Sequence, residues 1–172
     1  ARYLTLRYIF RKPPERLVDE QKRIMAWEPI QAIRQHWNRF NFWGREENPY
    51  YGGPVGNFGT LYLLAQLGAP LFEELELVCE NLLAQGRRGD GSFSPDAKAA
   101  SPWLCYTGMA LSALWHFGYG NDLRARSARS ALTQAVLLRP ELLACPIAGE
   151  LCHSGMVKAL VALLHVPSEM RT

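Results

Sequence analysis

Cysteine and histidine are the residue types in this sequence best suited to metal chemistry. The stretch "ELCHSG" places Cys152 beside His153 at the start of an apolar segment, and Cys145 lies seven residues upstream. Cys105 stands at the start of another such segment. Thiolate and imidazole are preferred ligands of tetrahedral zinc. These side chains can form one site only if the fold brings Cys105 to residues 145–153.

Three apolar segments resemble one another, and each begins with a small or hydroxyl residue beside a glycine. Their glycines, Gly59, Gly108 and Gly155, are 49 and 47 residues apart. A fixed period in this range is typical of helical repeat proteins. The segments are 57–70, 106–120 and 153–167. The sequence therefore predicts an array of helical repeats.

The segments after the first two copies, 71–85 and 121–138, have a different pattern. Each carries an apolar stripe at helical spacing, and Asn121 or Asp122 is suited to cap the second one. A helix that is apolar all round must be buried on every side. Each unit is therefore predicted to pair a buried inner helix, ended by Gly or Pro, with an amphipathic outer helix.

Two polar turns about one repeat apart are each followed by an aromatic residue, Trp43 in 39–44 and Phe93 in 85–94. The N-terminal third is predicted to form two or three further helices, and residues 44–57 are predicted to form a connecting loop. No segment shows the alternation of a β-strand. We expect an all-α fold of helical hairpins in a single domain over residues 1–172.

Composition and charge exclude several classes of protein. The chain has 172 residues, 48% of them hydrophobic, and a net charge of +3 with scattered arginines, which argues against nucleic-acid binding. A membrane-spanning helix needs about 20 apolar residues, and no apolar run in the sequence approaches this length. No signal peptide is evident. Four cysteines without a dense framework indicate a reducing compartment. We therefore expect a cytoplasmic protein.

The cysteines are in register with the repeat. Cys105 lies three residues before Gly108, and Cys152 lies three before Gly155. Equivalent positions of successive repeats lie side by side, about 8–10 Å apart. Helix N-termini also lower the pKa of a thiol. The predicted metal ligands are Cys105, Cys145, Cys152 and His153, with zinc as the ion and an iron–sulfur cluster as the less favoured group. The alternative is that these cysteines pack as small hydrophobic residues.

The stretch "AQGRRGDGSF" resembles the glutamine–tryptophan motif of terpenoid cyclases, with Gln85 and Gly91 matching and Phe93 in place of the tryptophan. The apolar inner and amphipathic outer helices are similar to the α/α-toroid repeats of terpenoid cyclases and protein prenyltransferase β subunits. Residues 54–70 and 101–122 look most like uncharacterised bacterial proteins described as squalene-cyclase-like or prenyltransferase-like. The resemblance spans about residues 25–172 and implies a partial toroid, either the N-terminal part of a longer one or a unit that associates with itself or a partner.

The resemblance also implies an apolar or isoprenoid ligand held inside the arc. Six aromatic residues could line that cavity, although ordinary packing between helices is the favoured explanation of them: Phe58, Tyr62, Trp103, Tyr106, Trp115 and Tyr119. The acidic motif with which a cyclase protonates its substrate is absent, since no two of the four aspartates lie within three residues of each other. Glu150 and Cys152 match only loosely the Asp-x-Cys pair of a prenyltransferase. No reaction is therefore assigned, and the alternative is a non-catalytic helical-repeat module that binds a protein or lipid, with any metal structural.

Overall fold

The computed structural model describes residues 2–37, 43, 56–95, 102–138, 144–145, 147 and 149–165. These residues contain no β-strand, only two isolated bridges, Arg87 with Phe93 and Ala144 with Leu151. A short π-helix and a 3₁₀ turn follow the first helix. The prediction of an all-α fold is confirmed over these residues. Their α-helices are α1 (Arg2–Leu4), α2 (Val18–Met25), α3 (Glu28–Gln35), α4 (Asn57–Leu67), α5 (Glu73–Gln85), α6 (Leu104–His116), α7 (Leu123–Leu138) and α8 (His153–Leu164).

The chain divides into two compact units, Ala1–Val78 and Cys79–Thr172. In the first unit, α4 ends at Gly68, which has a φ of 81°. The Gly68 N–H donates to the Ala65 carbonyl and the next N–H donates to the Leu64 carbonyl, which satisfies the last carbonyls of the helix. The Tyr3 ring packs directly on Gly68, so a side chain there would clash with it. The predicted glycine stop is confirmed at this helix.

The second unit contains α6, α7 and α8. Helix α6 has Phe117 as its C-cap, and Gly118 follows with a φ of 90° and the same pair of terminal hydrogen bonds as at Gly68. Helix α7 then begins after Asp122, whose Oδ1 accepts the Arg124 N–H at 2.8 Å. The predicted stop of α6 and the predicted cap of α7 are therefore both present.

The turn aromatics make matching contacts in the two units. The Trp43 N–H donates to Oδ1 of Asn57 at 2.6 Å, and the Phe93 N–H donates to Oγ1 of Thr107 at 3.1 Å. In both pairs the acceptor lies fourteen residues after the aromatic, in the first turn of an apolar helix. Both aromatic side chains are buried. The structure therefore gives the first two repeats the same local contact, fifty residues apart.

Helices α6 and α8 pack against each other and run in the same direction. A Cβ on Gly108 would lie 2.6 Å from the Lys158 carbonyl oxygen, and a Cβ on Gly155 would lie 3.5 Å from the Cys105 nitrogen. Because residue numbers rise together along both helices, the pairing is parallel with an offset of fifty residues. The absence of side chains at the two glycines allows this close approach. The two helices are therefore parallel neighbours, but their contact is shifted by three residues from the offset of 47 that Gly108 and Gly155 predict.

Candidate functional site

The N-termini of α6 and α8 bring three of the predicted metal ligands to one end of the second unit. Cys105 lies in the first turn of α6, and Cys152 is the N-cap of α8. The Gly155 N–H donates to the Cys152 Sγ at 3.2 Å, so the sulfur caps its own helix. Cys145 lies in the connection between α7 and α8, where its N–H donates to the Glu150 carbonyl at 2.7 Å. Both cysteines lie near the N-termini of neighbouring helices, but Cys105 is level with Gly155 rather than with Cys152.

The pKa of Cys105 differs from the sequence expectation. Helix N-termini lower the pKa of a thiol, but the pKa of Cys105 is raised, chiefly because burial disfavours the thiolate. The charge of Lys158 lowers this pKa, and the nearby thiols of Cys152 and Cys145 raise it further. The expectation of a lowered pKa at Cys105 is therefore wrong, because desolvation outweighs the helix terminus.

The four predicted ligands do not form a metal-binding group in the structure. Among the described residues, which include all four, no three His, Cys, Asp or Glu side chains are arranged to hold a metal ion. The Cys152 sulfur is directed towards the Gly155 N–H, and the His153 side chain is exposed at the first position of α8. Zinc and iron–sulfur binding stay predictions from the sequence pattern.

The six aromatic residues expected to line an apolar cavity are divided between the two units. Phe58 and Tyr62 lie on α4, where Phe58 is buried and burial raises the pKa of Tyr62. In the second unit, Tyr106 is buried in α6 and the Trp115 ring packs on Gly120. Trp103 is the N-cap of α6, and Tyr119 follows its end. A cavity of about 110 Å³ in this unit is lined by other residues of α6 and α7 together with Asp90, Ser92 and Pro102. The aromatic lining stays a prediction.

Helix α8 carries a stripe of exposed apolar side chains, here named the α8 apolar face. Its members, between 40% and 67% exposed, are Val157, Leu160, Val161 and Leu164. Their spacing places them on one side of the helix, opposite the buried residues Gly155, Ala159 and Ala162 that face α6. The prediction that this inner helix is buried on every side is wrong, because α6 covers only one side of it.

The α8 apolar face has buried counterparts in α6. Aligned on Gly108 and Gly155, its four positions correspond to Ala110, Ala113, Leu114 and Phe117, which are all buried. Nine residues of α6 are buried but only three of α8. The repeat pattern predicts burial of this helix, although the partial toroid that the resemblance implies would leave apolar faces of inner helices exposed.

None of the helices in the described ranges is both long enough and apolar enough to cross a membrane. No protein-family model matches the chain, and neither a curated protein nor a solved structure matches it significantly. The likeness to terpenoid cyclases and prenyltransferases therefore stays a prediction based on its motifs.

Proposed function

We propose that this chain is a helical-repeat module that binds an amphipathic α-helix of a partner protein on the α8 apolar face. The observation that carries the proposal is the stripe of four large aliphatic side chains on the side of α8 opposite α6, each 40% exposed or more. Single exposed apolar residues are common on protein surfaces, but a contiguous stripe marks an interaction surface. This function corresponds to a binding module rather than to an enzyme.

A helix is the occupant that the repeat favours. The equivalent positions of α6 are buried inside a unit built from helices. A partner helix with apolar residues at positions i, i+3, i+4 and i+7 would cover Val157, Leu160 and Leu164 together. Full burial of one such side chain is worth about 1.5–3 kcal/mol. The stripe would therefore supply most of the affinity, with little contribution from charge.

We also propose that the repeats follow the curvature of a partial α/α toroid. Two observations support this arrangement. The inner helices α6 and α8 are parallel and in close contact, and the contact of Trp43 with Asn57 recurs fifty residues later between Phe93 and Thr107. An open arc of this kind leaves an inner helix uncovered on one side, which agrees with the exposed stripe on α8.

A peptide of this chain's own sequence offers a direct test. The probe is a fluorescently labelled synthetic peptide of residues 121–138, the amphipathic segment that follows an inner helix in the preceding repeat. Its binding to the purified protein is measured by fluorescence anisotropy. We expect saturable binding that weakens at least about tenfold in the double variant V157E/L164E, because each glutamate places a charge in an apolar contact.

The matched control is Leu123→Glu, which changes a 76% exposed leucine at the start of α7 that is not a member of the stripe. It should bind the peptide as the unmodified protein does. Equal binding by V157E/L164E, or no binding by the unmodified protein, would contradict the proposal. A dimer that V157E/L164E converts to monomer, measured by light scattering, would instead assign the face to a second copy of the chain.

Binding of an apolar or isoprenoid small molecule is the second function that the α8 apolar face would serve. The resemblance to terpenoid-binding toroids implies it, and the four aliphatic side chains of the stripe would provide apolar contacts for such a ligand. Native mass spectrometry of the purified protein separates the two functions. A lipid that co-purifies with the unmodified protein and is lost from V157E/L164E would favour the small molecule over the partner helix.

A further inference from the structure

Two thiols far apart in the sequence lie beside each other in the second unit. Cys105 and Cys152 are both free thiols and both half-buried. The position that a Cβ on Gly155 would occupy lies 3.1 Å from the Cys152 Sγ and 3.5 Å from the Cys105 nitrogen. The space beside Gly155 therefore borders both residues, through the sulfur of Cys152 and the backbone nitrogen of Cys105.

We propose that Cys105 and Cys152 form an oxidisable dithiol that reacts with a low-molecular-weight disulfide and closes to a disulfide bond between α6 and α8. This inference goes beyond the proposed binding function and does not depend on it. The site lies at the N-terminal ends of the two helices, whereas the α8 apolar face runs along the side of α8 turned away from α6.

The close approach of the two backbones makes the bond possible. A disulfide requires Cα atoms about 4.4–6.8 Å apart, which is shorter than the usual 8–10 Å between the axes of packed helices. Helices α6 and α8 meet through Gly108, where a Cβ would lie only 2.6 Å from the Lys158 carbonyl oxygen. The helices are therefore in backbone contact one turn from Cys105, and their parallel register keeps the two N-termini together.

The reaction follows ordinary thiol–disulfide exchange. The thiolate of Cys152 attacks one sulfur of the small disulfide, so that a mixed disulfide forms at Cys152 and one small thiolate leaves. The Cys105 thiol then loses its proton to solvent and attacks the Cys152 Sγ, which releases the second small thiolate. Two protein thiols are oxidised, one small disulfide is reduced to two thiols, and the two protons end on these products.

The assignment of the two roles rests on position. Cys152 is the N-cap of α8, and its neighbours Leu151 and His153 are both exposed, so that a reagent can approach this end of the helix. Cys105 lies within the first turn of α6, a helix of which most residues are buried. Cys145 is a third thiol close to Cys105, so the experiment must distinguish it as a partner.

The test treats the intact, folded protein with oxidised glutathione at mildly alkaline pH and follows the intact mass. We expect the loss of two hydrogens, and peptide mapping should join the peptides of Cys105 and Cys152. The mapping uses the unmodified protein, so it does not depend on whether a variant folds. A persistent glutathione adduct without closure, or a bond that includes Cys145, would overturn the proposal.

Serine variants then check the order of the steps. In Cys105→Ser the reaction should stop at the mixed disulfide on Cys152. In Cys152→Ser the rate of the first step should fall at least about tenfold. Cys145→Ser is the matched control and should close as the unmodified protein does. Closure at an unchanged rate in Cys152→Ser, or failure of closure in a folded Cys145→Ser protein, would contradict the assigned pair.

Discussion

The hydroxyl of Thr107 bonds to both backbone polar groups of Phe93. Its Oγ1 accepts the Phe93 N–H at 3.1 Å and donates to the Phe93 carbonyl at 3.0 Å, and both residues are fully buried. One side chain of α6 therefore satisfies two backbone groups of the turn that precedes it. A buried backbone group without a partner is costly, so this contact ties the turn to the inner helix.

Replacing Thr107 by valine should lower the free energy of unfolding by about 2–3 kcal/mol, because the isosteric side chain leaves two buried backbone groups without partners. Urea unfolding followed by circular dichroism measures the change. Ser112 provides the control on the same helix, since its hydroxyl is buried without a hydrogen-bond partner. Ser112→Ala should be neutral or stabilising. A loss as large in Ser112→Ala as in Thr107→Val would show that the hydrogen bonds are not the cause.

The contact between α6 and α8 predicts a strong effect of Gly108→Ala. The added methyl group would lie 2.6 Å from the Lys158 carbonyl oxygen, a backbone atom that cannot rotate away. Overpacking of this kind costs about 1–3 kcal/mol, which thermal unfolding would report. Gly89→Ala is the control, because its Cβ meets nothing within 4 Å. A stability of Gly108→Ala equal to that of the control would refute the close pairing of the helices.

Asp122 should contribute to stability at neutral pH but not in acid. The hydrogen bonds and charge of Arg124 lower the pKa of Asp122 to about 2. The unfolded carboxyl has a pKa of about 3.9, so this stabilisation is present above that value and is lost as the pH falls towards 2. Asp122→Ala should cost about 1 kcal/mol at pH 7.

Unfolding measured at pH 7 and near pH 2.5 checks this dependence. The difference between Asp122→Ala and the unmodified protein should shrink in acid. Asn121→Ala changes the exposed residue next to Asp122 and should leave the free energy of unfolding unchanged at both pH values. A difference for Asp122→Ala that is the same at the two pH values would mean that the ionised carboxylate is not responsible.

Cys105 should react with iodoacetamide mainly at alkaline pH. Burial raises its pKa, and Lys158 partly opposes this effect. The variant Lys158→Gln should therefore raise the pKa of Cys105 further, which a pH profile of the alkylation rate would detect. Burial makes ionisation of Cys105 less favourable in the folded state than in the unfolded state. The contribution of this thiol to stability is therefore complete below the ordinary thiol pKa and is lost as the pH rises through the raised pKa. A lower pKa in Lys158→Gln would contradict the role of the lysine.

Much of the local structure follows from residues that start or end a helix. The glycines at 68 and 118 end α4 and α6 because the left-handed conformation costs glycine little. Asp122 caps α7 because a carboxylate accepts the free N–H groups of a helix start. The repeat also brings Cys105 and Cys152 to neighbouring helix N-termini. These features depend on sequence patterns that are local or periodic.

The features that the sequence did not reveal depend on what covers a surface. The apolar pattern of 153–167 is the same whether a neighbouring element covers it or not, so burial was expected where Val157 and Leu164 are exposed. The pKa of Cys105 likewise depends on how deeply the thiol lies among other atoms. A helix terminus is visible in sequence, whereas the loss of solvent around one sulfur is a tertiary property.

The parallel pairing of α6 with α8 also sets an order of assembly. The hairpin of α6 and α7 closes over the few residues that separate them, whereas the contact of Gly108 with Lys158 closes a loop of fifty residues. Loop-closure entropy favours the short connection, so the hairpin forms first and α8 docks onto it. In native-state hydrogen exchange, α8 should be the element of this unit that opens at the lowest free energy.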